Sequence, residues 1–312
     1  MNADPGSRRP RAGTVTSSGS LCDGPFGPAE LVDRVRVDDI AAAYRRKCGA
    51  DVAPWFDGLD ELDLFECRIT GYRFWRPAAV AGDADFYAAV SARWADYYRP
   101  ERWEYPIARR LLKSGDRVLE VGSGRGYFLK SIETRVDEAW GLELNGEAIA
   151  NRVTACDILA MTVEEVAEAH PREFDAVCSF QVLEHVVNPA AFLRACRACL
   201  QPGGLLILST PNHDSAMLAN REDAFDMPPH HMGHFSPAVY ANLAVLLDMP
   251  IVDLQVERRF FVPADSVTPR TRGRLTYRLA RKISTLAMGM AYRLCREPGN
   301  NLLVALRKPR TP

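Results

Sequence analysis

A doubly wound α/β sheet preceded by an aromatic-rich cap is the architecture predicted by this 312-residue sequence. From Glu104 onward, short apolar runs of strand composition alternate with helical patterns, the signature of parallel strands joined by crossovers. The run Arg117–Val121 feeds directly into a turn punctuated by Gly122, Gly124 and Gly126. Without Cβ atoms there, the backbone can bend tightly and approach a ligand closely. Glu143 ends the next apolar run, where a carboxylate is placed to accept both hydroxyls of a ribose.

Taken in order, residues 1–20 are rich in Gly, Ser, Thr, Pro and Arg and nearly free of apolar side chains, which predicts a disordered tail. Residues 28–104 form a section dense in aromatics, expected as a mainly helical cap. Its helices are expected over Ala29–Arg46 and Asp83–Tyr98, with a short extended piece, Leu62–Arg76, between them. Strands are expected at Arg117–Val121, Glu138–Glu143, Asp157–Met161, Phe174–Phe180 and Leu205–Thr210, then at Ile251–Arg258 and Asn301–Arg307. The segment Tyr127–Ile132 is the helix opening from the glycine turn, and residues 105–312 form one domain. An insert at 268–297 interrupts the last two strands. Leu275, Leu279, Ile283, Leu286, Met290 and Leu294 make one apolar helical stripe beside a face of eight basic residues between Arg270 and Arg296. A solvated outer face is the plain expectation for 270–296; a membrane-surface or anionic-ligand contact is the alternative.

Bulk properties narrow the function. A formal net charge of -1 gives no reason to expect nucleic acid. No uncharged apolar run of about 18 residues is present, so a transmembrane helix is not expected. Arg8, Arg9 and Arg11 lack a following apolar core, so no secretory signal is expected and a cytoplasmic location follows. The eight cysteines are then expected reduced. Cys196 and Cys199 have metal-like spacing, but they fall inside a helical stretch, Pro189–Leu200, with no second pair nearby.

A dinucleotide fingerprint would need glycine at position 127, where the chain has Tyr127. The spacing is instead Glu-x-Gly-x-Gly-x-Gly from Glu120. This stretch resembles motif I of the class I S-adenosylmethionine (SAM) methyltransferases. The resemblance continues through Gly-Leu-Glu-Leu-Asn at 141–145, Phe-Asp-Ala-Val-Cys-Ser-Phe-Gln-Val-Leu-Glu-His at 174–185 and Leu-Gln-Pro-Gly-Gly-Leu-Leu-Ile-Leu-Ser-Thr-Pro-Asn at 200–212. It implies a seven-stranded Rossmann-like sheet whose last two strands pair, with SAM as cofactor. It assigns the cofactor to Glu120, Gly122, Ser123, Gly124, Gly126 and Glu143. The adenine is expected between Leu144 and the loop near Thr162 and Val163, with Phe180 and Gln181 facing the transferable methyl.

Methyl transfer from a sulfonium needs the acceptor aligned within about 3–3.5 Å, water excluded, and a base where the acceptor carries a proton. The segment Met227-Pro-Pro-His-His-Met-Gly-His234 follows the fifth strand, on the side where parallel sheets place their ligands. We expect His230 or His231 as base, since a neutral imidazole can take a proton near pH 7. Tyr72, Tyr98, Trp103 and His234 are expected to frame the pocket for a small-molecule acceptor, a hydroxyl or amine on a sugar or specialised metabolite. Purely structural histidines and a divalent metal are the alternatives; no metal is expected, for want of an evident carboxylate or thiolate beside the cluster. His185 is open between cleft contact and helix-start hydrogen bond. The Pro-Pro-His-His block, with the Cys67–Phe74 segment, resembles a subgroup associated with glycan and specialised-metabolite pathways. A nicotinamide-dependent oxidoreductase on a similar sheet and a catalytically silent SAM-fold partner subunit are the rival functions.

Overall fold

The computed structural model describes residues 21–93, 98–215, 218, 223–257 and 299–310. The expected tail at 1–20 and the basic insert at 268–297 lie outside these residues.

The main sheet has seven strands: β5 (Arg117–Val121), β6 (Glu138–Leu142), β7 (Asp157–Leu159), β8 (Phe174–Phe180), β9 (Leu200–Pro211), β11 (Ile251–Val256) and β12 (Asn301–Arg307). Their order is β11-β12-β9-β8-β5-β6-β7. The five strands from β9 to β7 are parallel, whereas β12 runs antiparallel to both β9 and β11. Sequence and structure agree on this doubly wound sheet and its terminal antiparallel pair. Successive residues of β5 serve opposite faces. Val118 packs with Phe128, Leu129 and Ile132 of α4 (Tyr127–Ile132), while Leu119 and Val121 join a core that includes Leu193 and Cys196 of α7 (Pro189–Cys199). Burial on both faces is why these strands read as continuous apolar runs rather than as alternation.

The leading section departs from expectation: it is not mainly helical. A second, antiparallel sheet runs through it in the order β1-β2-β3-β4-β10, with β1 (Leu21–Gly24), β2 (Gly27–Arg36), β3 (Glu61–Cys67) and β4 (Arg73–Arg76) from this section and β10 (Gly233–His234) from far along the chain. The helix expected over Ala29–Arg46 is strand β2 as far as Arg36 and helix α1 (Val37–Cys48) after it. Pairing of Ala29–Arg36 with Glu61–Cys67 overrides the local pattern. The helix starts where Asp38 and Asp39 meet the positive end of its dipole, and Arg45, Arg46 and Lys47 complete its last turn before Gly49 adopts φ 70°. The second expected helix is present as α2 (Ala84–Arg93); Tyr98 lies beyond it.

The two-residue strand β10, Gly233–His234, forms the edge of the second sheet by pairing with Phe74 and Arg73 of β4. Met232 is the clasp. Its carbonyl accepts from Trp75 N–H of β4 at 3.0 Å, and its N–H donates to the Glu184 carbonyl beyond β8 at 2.8 Å. Gly233 is required there, because a Cβ would stand 1.9 Å from the Tyr72 hydroxyl. The histidine-bearing loop is thus fixed at its end, and the Tyr44 hydroxyl, donating to the Met227 carbonyl at 2.9 Å, fixes its start.

Candidate active site

A cavity of about 1170 Å³ opens at the carboxyl ends of β5, β6 and β8. One wall is the glycine turn. Gly122, Gly124 and Gly126 have φ of 74°, 55° and 76°, and the N–H groups of Gly122 and Ser123 donate to the Leu142 carbonyl at 2.8 and 2.9 Å. The turn has no room for side chains: a Cβ on Gly122 would lie 2.3 Å from Val182 Cγ2, and one on Gly124 3.0 Å from the Tyr98 ring. Glu143 fixes the turn, its Oε2 accepting from Gly124 N–H and its Oε1 from Asn145 N–H, both at 2.8 Å. Asn145 Nδ2 donates to the Tyr98 hydroxyl at 3.0 Å, closing this end with an aromatic ring.

Of the residues expected to hold the cofactor, Glu120, Gly122, Ser123, Gly124, Glu143, Leu144, Val163, Phe180 and Gln181 all line the cavity. Gly126 does not. It precedes α4, and its missing Cβ makes way for Thr154 Cγ2 at 2.5 Å, so its task is packing. Gln181 is held at φ 56°, its N–H donating to the Ser209 carbonyl at 2.9 Å. Side chains other than glycine rarely adopt that region without a local reason.

The cavity floor is acidic. Glu104, Glu120 and Glu184 are each 1–2% exposed and line it together with Arg102. Burial raises all three carboxyl groups; Glu184 is pushed up to about 8, with the charges of Asp226 and Glu104 adding to the effect against Arg102. Glu120 Oε2 and Glu184 Oε2 are buried without a hydrogen-bond partner. Such acceptors call for a donor or a positive charge, and SAM brings both an ammonium and a sulfonium. The cradle and these carboxylates fit that cofactor.

His230 and His231 also line the cavity, with their rings stacked at 4.6 Å. His231 Nδ1 lies 3.1 Å from Asp226 Oδ1, and His230 Nδ1 lies 3.1 Å from the Phe225 carbonyl. Burial, reinforced by the neighbouring His185, drives both imidazoles well below their ordinary value, so both are neutral. His185 also lines the cavity, its Nδ1 2.6 Å from the His230 carbonyl and 3.2 Å from the Tyr87 hydroxyl.

Two residues expected in the acceptor pocket stand elsewhere. Tyr72 is buried between Phe26, Phe74 and Phe235, with ring centres 5.0–5.9 Å apart, outside the cavity wall. His234 lies behind the wall, stacked on His213 at 3.9 Å, with Nε2 3.2 Å from the Asp226 carbonyl. Tyr98 and Trp103 do line the cavity, and Tyr87 joins them from α2. The carboxylate that sequence reasoning did not find beside the histidines is Asp226. It immediately precedes Met227 and is 5% exposed, with His231 at 3.1 Å and His213 Nδ1 at 3.3 Å.

Buried neutral imidazoles make stability depend on acid. His185 and His234 are lowered to about 4, mainly by burial. Below the ordinary imidazole value near 6.5, the unfolded chain takes up protons that the folded chain refuses, so stability falls as pH drops towards 4. Each such histidine contributes up to about 1.4 kcal/mol per pH unit in that window. Glu184, raised to about 8, takes up its proton in the folded chain and opposes this trend, so the check is a difference: between pH 6.5 and 4.5 Tm should fall less steeply in His234→Gln than in the parent, and identical pH dependence would contradict neutral burial.

Residues 95–248 match the model of a family described as a methyltransferase domain. The ubiquinone biosynthesis O-methyltransferase of Sodalis glossinidius is 36% identical over 142 residues, 40% of this chain and 57% of that protein. The protein of the same name from Xanthomonas euvesicatoria is 33% identical over 153 residues, 44% of this chain and 64% of that protein. The chain thus spans less than two thirds of these relatives' length. Among solved structures, a SAM dependent methyltransferase from Archaeoglobus fulgidus aligns with TM-score 0.46 at 17% identity, covering 73% of this chain and 95% of that one. Residues 95–248 are thus similar to a methyltransferase domain, and the seven-stranded sheet with its glycine turn has the Rossmann-like fold of S-adenosylmethionine-dependent methyltransferases.

Proposed function

We propose that the whole chain transfers a methyl group to a hydroxyl or amine of a small or medium acceptor, a sugar or a specialised metabolite, by direct displacement. One observation carries the reading: the same cavity is lined by the glycine turn with Glu143 and by neutral imidazoles. The cofactor supplies a methyl group already activated on a sulfonium. The turn and Glu143 would hold its nucleoside portion, and its positive charges would draw the carboxyl groups of Glu120 and Glu184 towards their ionised form. Tyr87, Tyr98 and Trp103 exclude water and flank the acceptor. His231 removes the acceptor's proton at Nε2, because Asp226 accepts from Nδ1 and so leaves the lone pair on the other nitrogen. His230, stacked against it, positions the acceptor.

The two ubiquinone biosynthesis O-methyltransferases favour a hydroxyl over an amine. The acceptor itself does not carry over from them, because residues before 95, which bring Lys47 and Tyr87 to the cavity, lie outside the family match. Incubating the full chain with methyl-labelled SAM and a panel of sugar, phenol and amine acceptors should label hydroxyl compounds first. A chain that binds SAM yet labels no acceptor in the panel would favour the non-catalytic reading.

A further inference from the structure

His185, from the turn after β8, meets His230 and His231 of the loop before β10 on one wall of the cavity. Ring centres are 4.6 Å apart for His185 and His230, 4.9 Å for His185 and His231, and 4.6 Å for His230 and His231. One ligand nitrogen from each lies within 4.8 Å of the other two. Every Nδ1 sits against an oxygen: the His230 carbonyl for His185, the Phe225 carbonyl for His230, and the Asp226 carboxylate for His231. Carbonyl and carboxylate oxygens only accept, so a proton on each of these Nδ1 atoms leaves the lone pair on Nε2; His185 also meets the Gln181 carbonyl, and its Nε2 lies 3.9 Å from Glu184 Oε1. This is how metal-ligating histidines are held, by an outer ring of oxygens that fixes tautomer and orientation.

We propose that His185, His230 and His231 form a binding site for a divalent transition cation of the zinc class. Three imidazoles suit zinc, with the fourth tetrahedral position left open to the cavity. At zinc–nitrogen distances of about 2.0–2.1 Å, ring centres around one tetrahedral ion stand about 5 Å apart, close to the separations seen here. The nitrogens then close to roughly 3.4 Å from one another, and the stacked rings of His230 and His231, 18° apart in plane, rotate to aim both lone pairs at the ion. Asp226 is the outer carboxylate, itself backed by His213 at 3.3 Å. An ion there takes the lone pair that methyl transfer needs for the acceptor's proton, so ion loading and imidazole base catalysis exclude one another. That consequence rests on the proposed methyl transfer; the ion site rests on the geometry of the imidazoles.

The test is a cobalt(II) titration of the chelator-stripped full chain, followed by visible absorption, with zinc displacement read by calorimetry. One equivalent per chain with the intense bands of four-coordinate cobalt is expected. His185→Gln and His230→Gln should each weaken binding by more than about 100-fold, and Asp226→Asn by about 10–100-fold. His170→Gln, remote from the cluster, should leave it unchanged. S-adenosylhomocysteine affinity, measured on every sample, reports the fold and the cofactor site separately. A chain that binds S-adenosylhomocysteine but no cobalt overturns the proposal, and so does binding that survives in both His185→Gln and His230→Gln.

Discussion

Leucine at position 124 should weaken SAM binding by roughly 100-fold while leaving the chain folded. Gly124 sits at φ 55°, and a Cβ there would already press on the Tyr98 ring at 3.0 Å. Left-handed backbone costs a side chain about 1–2 kcal/mol. The remaining leucine atoms must enter the cavity or displace Tyr98, whose hydroxyl is tied to Asn145. A combined penalty of about 3 kcal/mol corresponds to a loss of roughly 100-fold in affinity. Calorimetric titration checks it, and retained affinity would contradict the cradle. Gly126→Ala gives the contrast. Its Cβ meets Thr154 rather than the cavity, so it should lower Tm with a much smaller effect on the affinity of the folded protein.

Alanine at position 231 should cut turnover by about 10²–10⁴-fold, the usual contribution of a positioned base, with little change in SAM affinity. Because burial holds the His231 imidazole well below its ordinary value, proton acceptance should persist unchanged through pH 6.5, where a free imidazole is half protonated. Asp226→Asn should lower kcat as well, since an amide can offer a donor to Nδ1 and favour the other tautomer. A His231→Ala variant with parental kcat would remove the base role. Turnover that instead halves near pH 6.5 would show that the imidazole is solvated.

Much of this was legible in the sequence because the sheet's chemistry is local. Strand β5, its glycine turn and Glu143 lie within 27 consecutive residues, and burial on both faces gave the parallel strands their apolar runs. The cap was misread where partners are distant. Ala29–Arg36 is a strand because Glu61–Cys67 pairs with it, and the cue to the helix start was the acidic pair Asp38 and Asp39. The histidine cluster was visible, but its organisation was not. Nothing in local spacing shows that Gly233 must yield to Tyr72, which keeps Tyr72 out of the pocket and turns His234 behind the wall. Asp226 was the available signal, a carboxylate one residue ahead of the Pro-Pro-His-His block. Glu104 and Glu184 belong with it, since only the fold reveals that a charged side chain has lost its water.

The central claim, that the turn after β5 holds SAM, is tested most directly by titrating the purified chain with S-adenosylhomocysteine and, separately, with NADH. Saturable heat at one S-adenosylhomocysteine per chain, with none from NADH, is the predicted result. Heat from NADH and none from S-adenosylhomocysteine would contradict it.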